Sequence, residues 1–169
     1  MDYAAATPVD AQVFEAMQPY FSEQFANPSS LYASARVTRE ALAMARASVA
    51  NTLGAKPTEI TFTAGATESI NLAIQGVMRR YPEGNMVATA IEHEAVLETT
   101  RQFDHTIVGA PSSGIVKIDD IMSAINDQTV LVSVMMANNE VGTIQPIKDI
   151  AAALMDIRTK RLAAGNSLP

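Results

Sequence analysis

From residue 60 onward, short apolar runs alternate with stretches whose apolar positions recur at helical spacing. The runs predict strands near residues 59–62, 86–90, 106–109 and 129–135. The periodic stretches predict helices near residues 67–80, 94–103, 119–125 and 146–163, with Ile70, Ala73, Ile74 and Val77 as the apolar positions of the first. The run from Val130 to Met136 is apolar nearly throughout, as a central parallel strand covered on both faces should be. Asp119 and Asp120 suit the N-cap and first turn of the third helix. Strands and helices alternating in this order imply a doubly wound α/β sheet.

The first third reads differently. An extended arm ends at Thr7-Pro8, and Asp10 marks a helix start followed by Val13, Met17 and Phe21 at helical spacing, with Pro19 predicting a kink or restart. Asn27-Pro28-Ser29-Ser30 predicts a loop whose polar side chains either satisfy their own turn or face a ligand. A long helix is predicted over residues 33–53 with Gly54 as its stop. The expected organisation is an arm and helices over residues 1–58, then the first βα units of a sheet domain over residues 59–169.

Three polar clusters fall at the carboxyl ends of predicted strands, where open α/β sheets bind ligands. The first is the small-residue turn Ala64-Gly65-Ala66-Thr67. There a helix N-terminus offers free N–H groups and a Thr hydroxyl to an anion, or Thr67 simply caps the helix. The second is Glu92-His93 and the third is Asn138-Asn139-Glu140-Val141-Gly142. A lone His after a strand is often a helix cap or a core residue. Together the clusters resemble a site for a phosphorylated aromatic cofactor: an anion cradle, a flat ring able to stack, and an amide for a ring substituent. Glu68 reads as a helix N-terminal charge, and Glu92 and Glu140 as loop-ordering groups.

Composition narrows the choice. A net charge of −6 argues against nucleic acid or an anionic membrane as partner, and no apolar run reaches the length of a membrane span. The opening residues carry no secretory signal pattern, so a cytoplasmic location is expected. With no cysteine and two histidines, disulfides, thiolate sites and a His-rich metal site are excluded within these 169 residues. Neither a dinucleotide fingerprint nor a P-loop is present.

The residues 2–8, Asn27-Pro28-Ser29-Ser30, 61–74, Glu92-His93-Glu94-Ala95-Val96-Leu97 and 138–142 together resemble the cysteine desulfurases of the class V aminotransferases, pyridoxal-phosphate (PLP) enzymes of fold type I. The resemblance covers the whole chain and implies the N-terminal part of the large domain. It implies that Thr67, with the backbone at Ala66, holds the PLP phosphate. It also implies that His93 stacks on the pyridine ring as the catalytic histidine, and that Asn138 bonds the 3-hydroxyl. Asn27 and Asn138 would face the substrate, L-cysteine, which such enzymes convert to L-alanine. The sulfur passes as a persulfide to acceptor proteins of iron–sulfur or thionucleoside pathways, and homodimers are typical.

The chain departs from that pattern as well. Tyr32 stands where many members have His, and Ala35 where many have Gly. Lys56, Lys117, Lys148 and Lys160 match no Schiff-base motif, and the acid partner of the ring nitrogen and the sulfur-accepting cysteine are missing. The 169 residues alone are therefore expected to be inactive and to bind PLP weakly or not at all. A half-cut sheet should also leave an open strand edge that favours self-association or marginal stability. Two other readings stay open. One is a selenocysteine lyase or another class V aminotransferase; the other is a non-catalytic half-domain serving as a binding or scaffold module.

Overall fold

The computed structural model describes residues 2–169. They form two compact units, one running to Phe62 and the other Thr63–Pro169.

The first unit is helical. Asp10 caps α1 (Ala11–Met17), its Oδ1 accepting the Gln12 N–H at 2.8 Å. Pro19 sits at the start of a separate turn of helix, α2 (Pro19–Ser22), because its ring cannot continue α1. The stripe Val13, Met17 and Phe21 is exposed, Phe21 by 70%, and neither helix buries a residue. The long helix α3 (Ala33–Leu53) ends at Gly54, whose φ of 65° closes the C-terminus in the left-handed region. Its fully buried positions are Ala35 and Ala50, while the larger Val37, Met44 and Leu53 are exposed.

The strand expected over residues 59–62 is absent. Pro57–Glu59 instead forms a 3-10 turn, with Glu59 Oε2 accepting the Lys56 N–H at 2.8 Å. The Arg46 guanidinium donates to the Ile60 carbonyl at 2.6 Å and lies 4.9 Å from the Phe62 ring centroid. A side chain thus takes the carbonyl that a neighbouring strand would take, so the apolar run stays extended but unpaired.

The second unit is the sheet domain. Helix α4 (Ala66–Arg80) leads through the turn at Tyr81–Gly84 into β1 (Asn85–Thr89). Then follow α5 (Glu94–Thr100), β2 (His105–Val108), α6 (Ile118–Ala124), β3 (Thr129–Ser133) and α7 (Ile147–Ala163). The three strands are parallel in the order β2-β1-β3, with Val87 opposite Thr106 on one side and Val132 on the other. Alternation along β1 sorts the core into two layers. Met86 and Ala88 pack with Ile74, Met78 and Val96 of α4 and α5. Val87 packs with Ile121 and Ile150 of α6 and α7 on the opposite face. The α/β class expected from the alternating pattern is therefore present. Each helix begins or ends within a few residues of expectation, except that α5 stops at Thr100 and Lys117, not Asp119, occupies the N-cap of α6.

Candidate cofactor site at the carboxyl ends of the strands

The order β2-β1-β3 creates a crevice. After β1 the chain turns to α5 on one face, and after β3 it turns to α7 on the other. The two connections part company between the carboxyl ends of β1 and β3, which is where open α/β sheets accept ligands. The short turn from α4 into β1 makes α4 run back across the sheet, so its N-terminus lies at the same end.

A cavity of about 440 Å³ opens there, within the range of small-molecule sites. His93 and Asn138 both line it, with Glu92, Leu97 and Val141. His93 is the N-cap of α5, its Nδ1 accepting the Ala95 N–H at 3.0 Å. That bond assigns the neutral tautomer: the proton sits on Nε2, the nitrogen left to donate. The capping role and the cavity-lining position coexist in one ring. His93 is exposed, so its face is open to a partner.

Asn138 holds the opposite wall. Its Oδ1 accepts the N–H groups of Glu140 and Val141, both at 2.9 Å, and Gly142 closes the turn at φ 73°. Its Nδ2 donates to the Ile91 carbonyl at 3.1 Å and to the Met135 sulfur at 3.4 Å. The sulfur contact is the weak one, so one hydrogen of this amide is available to a better acceptor at little cost.

Glu92 is only 8% exposed, and its carboxylate accepts from the hydroxyls of Thr89 at 2.8 Å and Ser133 at 3.0 Å and from the Met135 N–H at 2.5 Å. It orders the loop, as expected, but its partners Ser133 and Met135 lie in the other strand's end. The visible signal was Ser133, the one polar residue in the apolar run.

The α4 N-terminus carries the anion-binding features. Gly65, not Thr67, is its N-cap, and no side chain caps it. Among the described residues, the N–H groups of Ala66, Thr67 and Glu68 and the Thr67 hydroxyl find no acceptor. Thr63 and Ser69 share a hydroxyl–hydroxyl bond of 2.7 Å that shapes the turn, and Glu68 Oε2 is engaged by the Ala64 N–H at 2.6 Å. Ala66 and Thr67 do not line the cavity shared by His93 and Asn138.

A phosphorylated pyridine asks for free donors at one end and a flat ring with an amide at the other. The free N–H groups of α4 and the cavity with its imidazole and amide fit both demands. The carboxylates around the cavity, Glu92, Glu94 and Glu140, disfavour a phosphate there. None of the four lysines lines the cavity. Asn27 lies in the helical unit and satisfies its own turn, its Oδ1 accepting the Ser29 N–H at 2.9 Å. No group of His, Asp and Glu able to hold a metal ion occurs among the described residues.

The family model for class-V aminotransferases matches residues 1–159. The chain belongs to the class-V aminotransferase family. A cysteine desulfurase IscS from Methanosarcina thermophila is 45% identical over 157 residues, covering 89% of this chain and 39% of that protein. Two solved structures share the fold. A NifS-like protein superposes with a TM-score of 0.85 at 39% identity, over 89% of this chain and 43% of its own. SspA in complex with cysteine gives 0.87 at 41% identity, over 93% and 47%. The family and the fold type I sheet that the sequence led us to expect are therefore both found, and the chain spans about 39% of the length of the curated relative. No helix among the described residues is long and apolar enough to cross a membrane.

Proposed function

We propose that these residues form the cofactor-cradling part of a PLP-dependent cysteine desulfurase, converting L-cysteine to L-alanine and releasing sulfur as a persulfide. The observation that carries this reading is the shared cavity of His93 and Asn138 at the parting of β1 and β3. When bound, PLP supplies an electron sink for bond breaking at the substrate's α-carbon.

The chain's own residues have separable tasks. The N–H groups of Ala66 and Thr67, with the Thr67 hydroxyl, hold the phosphate against the positive end of the α4 dipole. His93 offers a flat face to the pyridine ring, and Nδ1 is occupied by its cap, so the ring donates only through Nε2–H. Asn138 turns one Nδ2 hydrogen from the Met135 sulfur to the ring's oxygen substituent. The chain holds no cysteine and no lysine at the cavity, so the accepting thiol and the amine that anchors PLP come from other residues. The sulfur then goes to an acceptor protein for iron–sulfur cluster or thionucleoside synthesis, in a cytoplasmic homodimer.

Two experiments test this. A chimera in which residues 1–159 replace the matching segment of the Methanosarcina thermophila cysteine desulfurase should release alanine from L-cysteine, with sulfide freed from the persulfide by an added thiol reductant, and lose that activity with His93→Ala. An inactive but folded chimera argues against the reading. The 169-residue chain, treated with PLP and borohydride, should show no stoichiometric lysine adduct by intact mass; one adduct at a single lysine would overturn the assignment of the anchoring amine to other residues.

A further inference from the structure

We propose that Glu92 is the positioning residue of this site: its buried carboxylate latches the end of β3 to the end of β1 and so sets His93 and Asn138 on the two walls of one cavity. The main-chain register between the two strands runs out at Ala88 opposite Ser133. Beyond that point no ladder bond ties them, yet the Met135 N–H two residues on is not left free. It donates to Glu92 Oε1, which takes the place of a ladder carbonyl. Ser133 donates to Oε2 and Thr89 to Oε1, so both oxygens are engaged.

The neighbours of Glu92 give the latch its consequence. Residue 91 on one side receives the Asn138 amide on its carbonyl, and residue 93 on the other presents the imidazole. Met135, held by the latch, carries the sulfur that touches the same Asn138 amide. A shift at Glu92 therefore moves both walls together. Among the described residues no cation pairs with this carboxylate, so its burial is offset by three neutral donors alone. A carboxylate accepts from all three without reorientation. A carboxamide accepts from two and requires the Ser133 hydroxyl to turn and accept, which a hydroxyl does readily.

The consequence for the cofactor rests on the reading of the cavity as the PLP ring pocket; the geometric part does not. The test uses the ¹⁵N-labelled chain with Glu92→Ala, Glu92→Asp and Glu92→Gln. Side-chain resonances of Asn138, the Met135 backbone amide and the ring nitrogens of His93 report position, and titrations with PLP and with inorganic phosphate report binding. Glu92→Ala should move the Asn138 and Met135 signals and weaken PLP by at least about tenfold, while phosphate affinity at α4 stays within about twofold. Glu92→Gln should restore the signals and most of the affinity. Glu92→Asp, which keeps the charge but cannot reach Ser133 and Met135, should behave like Glu92→Ala and decides the matter if the alanine variant does not fold. Unmoved Asn138 signals in the alanine or aspartate variant overturn the proposal, as does a glutamine variant as impaired as alanine. Where the wild-type chain binds PLP too weakly to titrate, as expected of these 169 residues alone, the Asn138 and Met135 signals decide the latch.

Discussion

Asn138 donates from Nδ2 to the Ile91 carbonyl across 3.1 Å, joining the loop after β3 to the loop after β1. The same side chain gathers the Glu140 and Val141 N–H groups on Oδ1. Asn138→Ala should speed amide hydrogen exchange at Glu140 and Val141 by about tenfold, the loss of one ordinary hydrogen bond each. Asn138→Asp keeps the two acceptances and loses the donation to Ile91. It should leave those amides protected while weakening PLP. Equal exchange in both variants would sink this division of labour.

His93 combines a cap and a ring face, and the two can be separated. His93→Ala should cost about 0.5–2 kcal/mol in chemical denaturation through loss of the α5 cap. Asn is a good N-cap, so His93→Asn should recover most of that stability and still lose PLP affinity. Retained PLP binding in His93→Asn would mean that the imidazole face is not used.

Thr67 is exposed at the second position of α4, and its hydroxyl has no partner among the described residues. Thr67→Ala should leave the unfolding midpoint unchanged. It should weaken inorganic phosphate and PLP to the same extent, by roughly tenfold for one hydrogen bond to a charged group. Isothermal titration with each ligand reads this directly, and a change in stability instead of binding would assign Thr67 a structural role.

Gly84 closes the turn into β1 where no side chain fits. A Cβ there would lie 2.8 and 2.9 Å from the two γ-methyls of Val130, a buried core residue. Gly84→Ala should destabilise the sheet domain by about 1–3 kcal/mol through overpacking. Gly84→Ala/Val130→Ala should recover part of the loss. Urea midpoints of the single and double variants check it.

The outer edge of β3 has no neighbouring strand among the described residues, and an apolar groove of about 320 Å³ lies between β3 and α7, lined by Leu131, Leu154 and Met155. An open edge beside apolar surface invites a second copy. Sedimentation should show self-association of the 169-residue chain that weakens with Met155→Glu. A monodisperse monomer at high concentration would argue against it.

Much of the local structure is legible in the sequence alone. Asp10 begins α1, Pro19 breaks it, Gly54 ends α3, and the turn at Gly65 opens α4, because caps, fixed φ angles and left-handed stops act within a few residues of themselves. The alternating apolar runs carried the α/β class, and the residues at the strand ends carried the family. What the sequence by itself could not decide depends on partners distant in the chain. Residues 59–62 are as apolar as a strand, yet with Arg46 on the Ile60 carbonyl and no neighbour to pair with they form none. Ser133 was visible as the polar break in an apolar run, but its acceptor, Glu92, lies 41 residues earlier. The order β2-β1-β3 brings those strand ends together, and with them the two walls of the cavity, because a buried carboxylate must find its donors wherever the tertiary fold puts them.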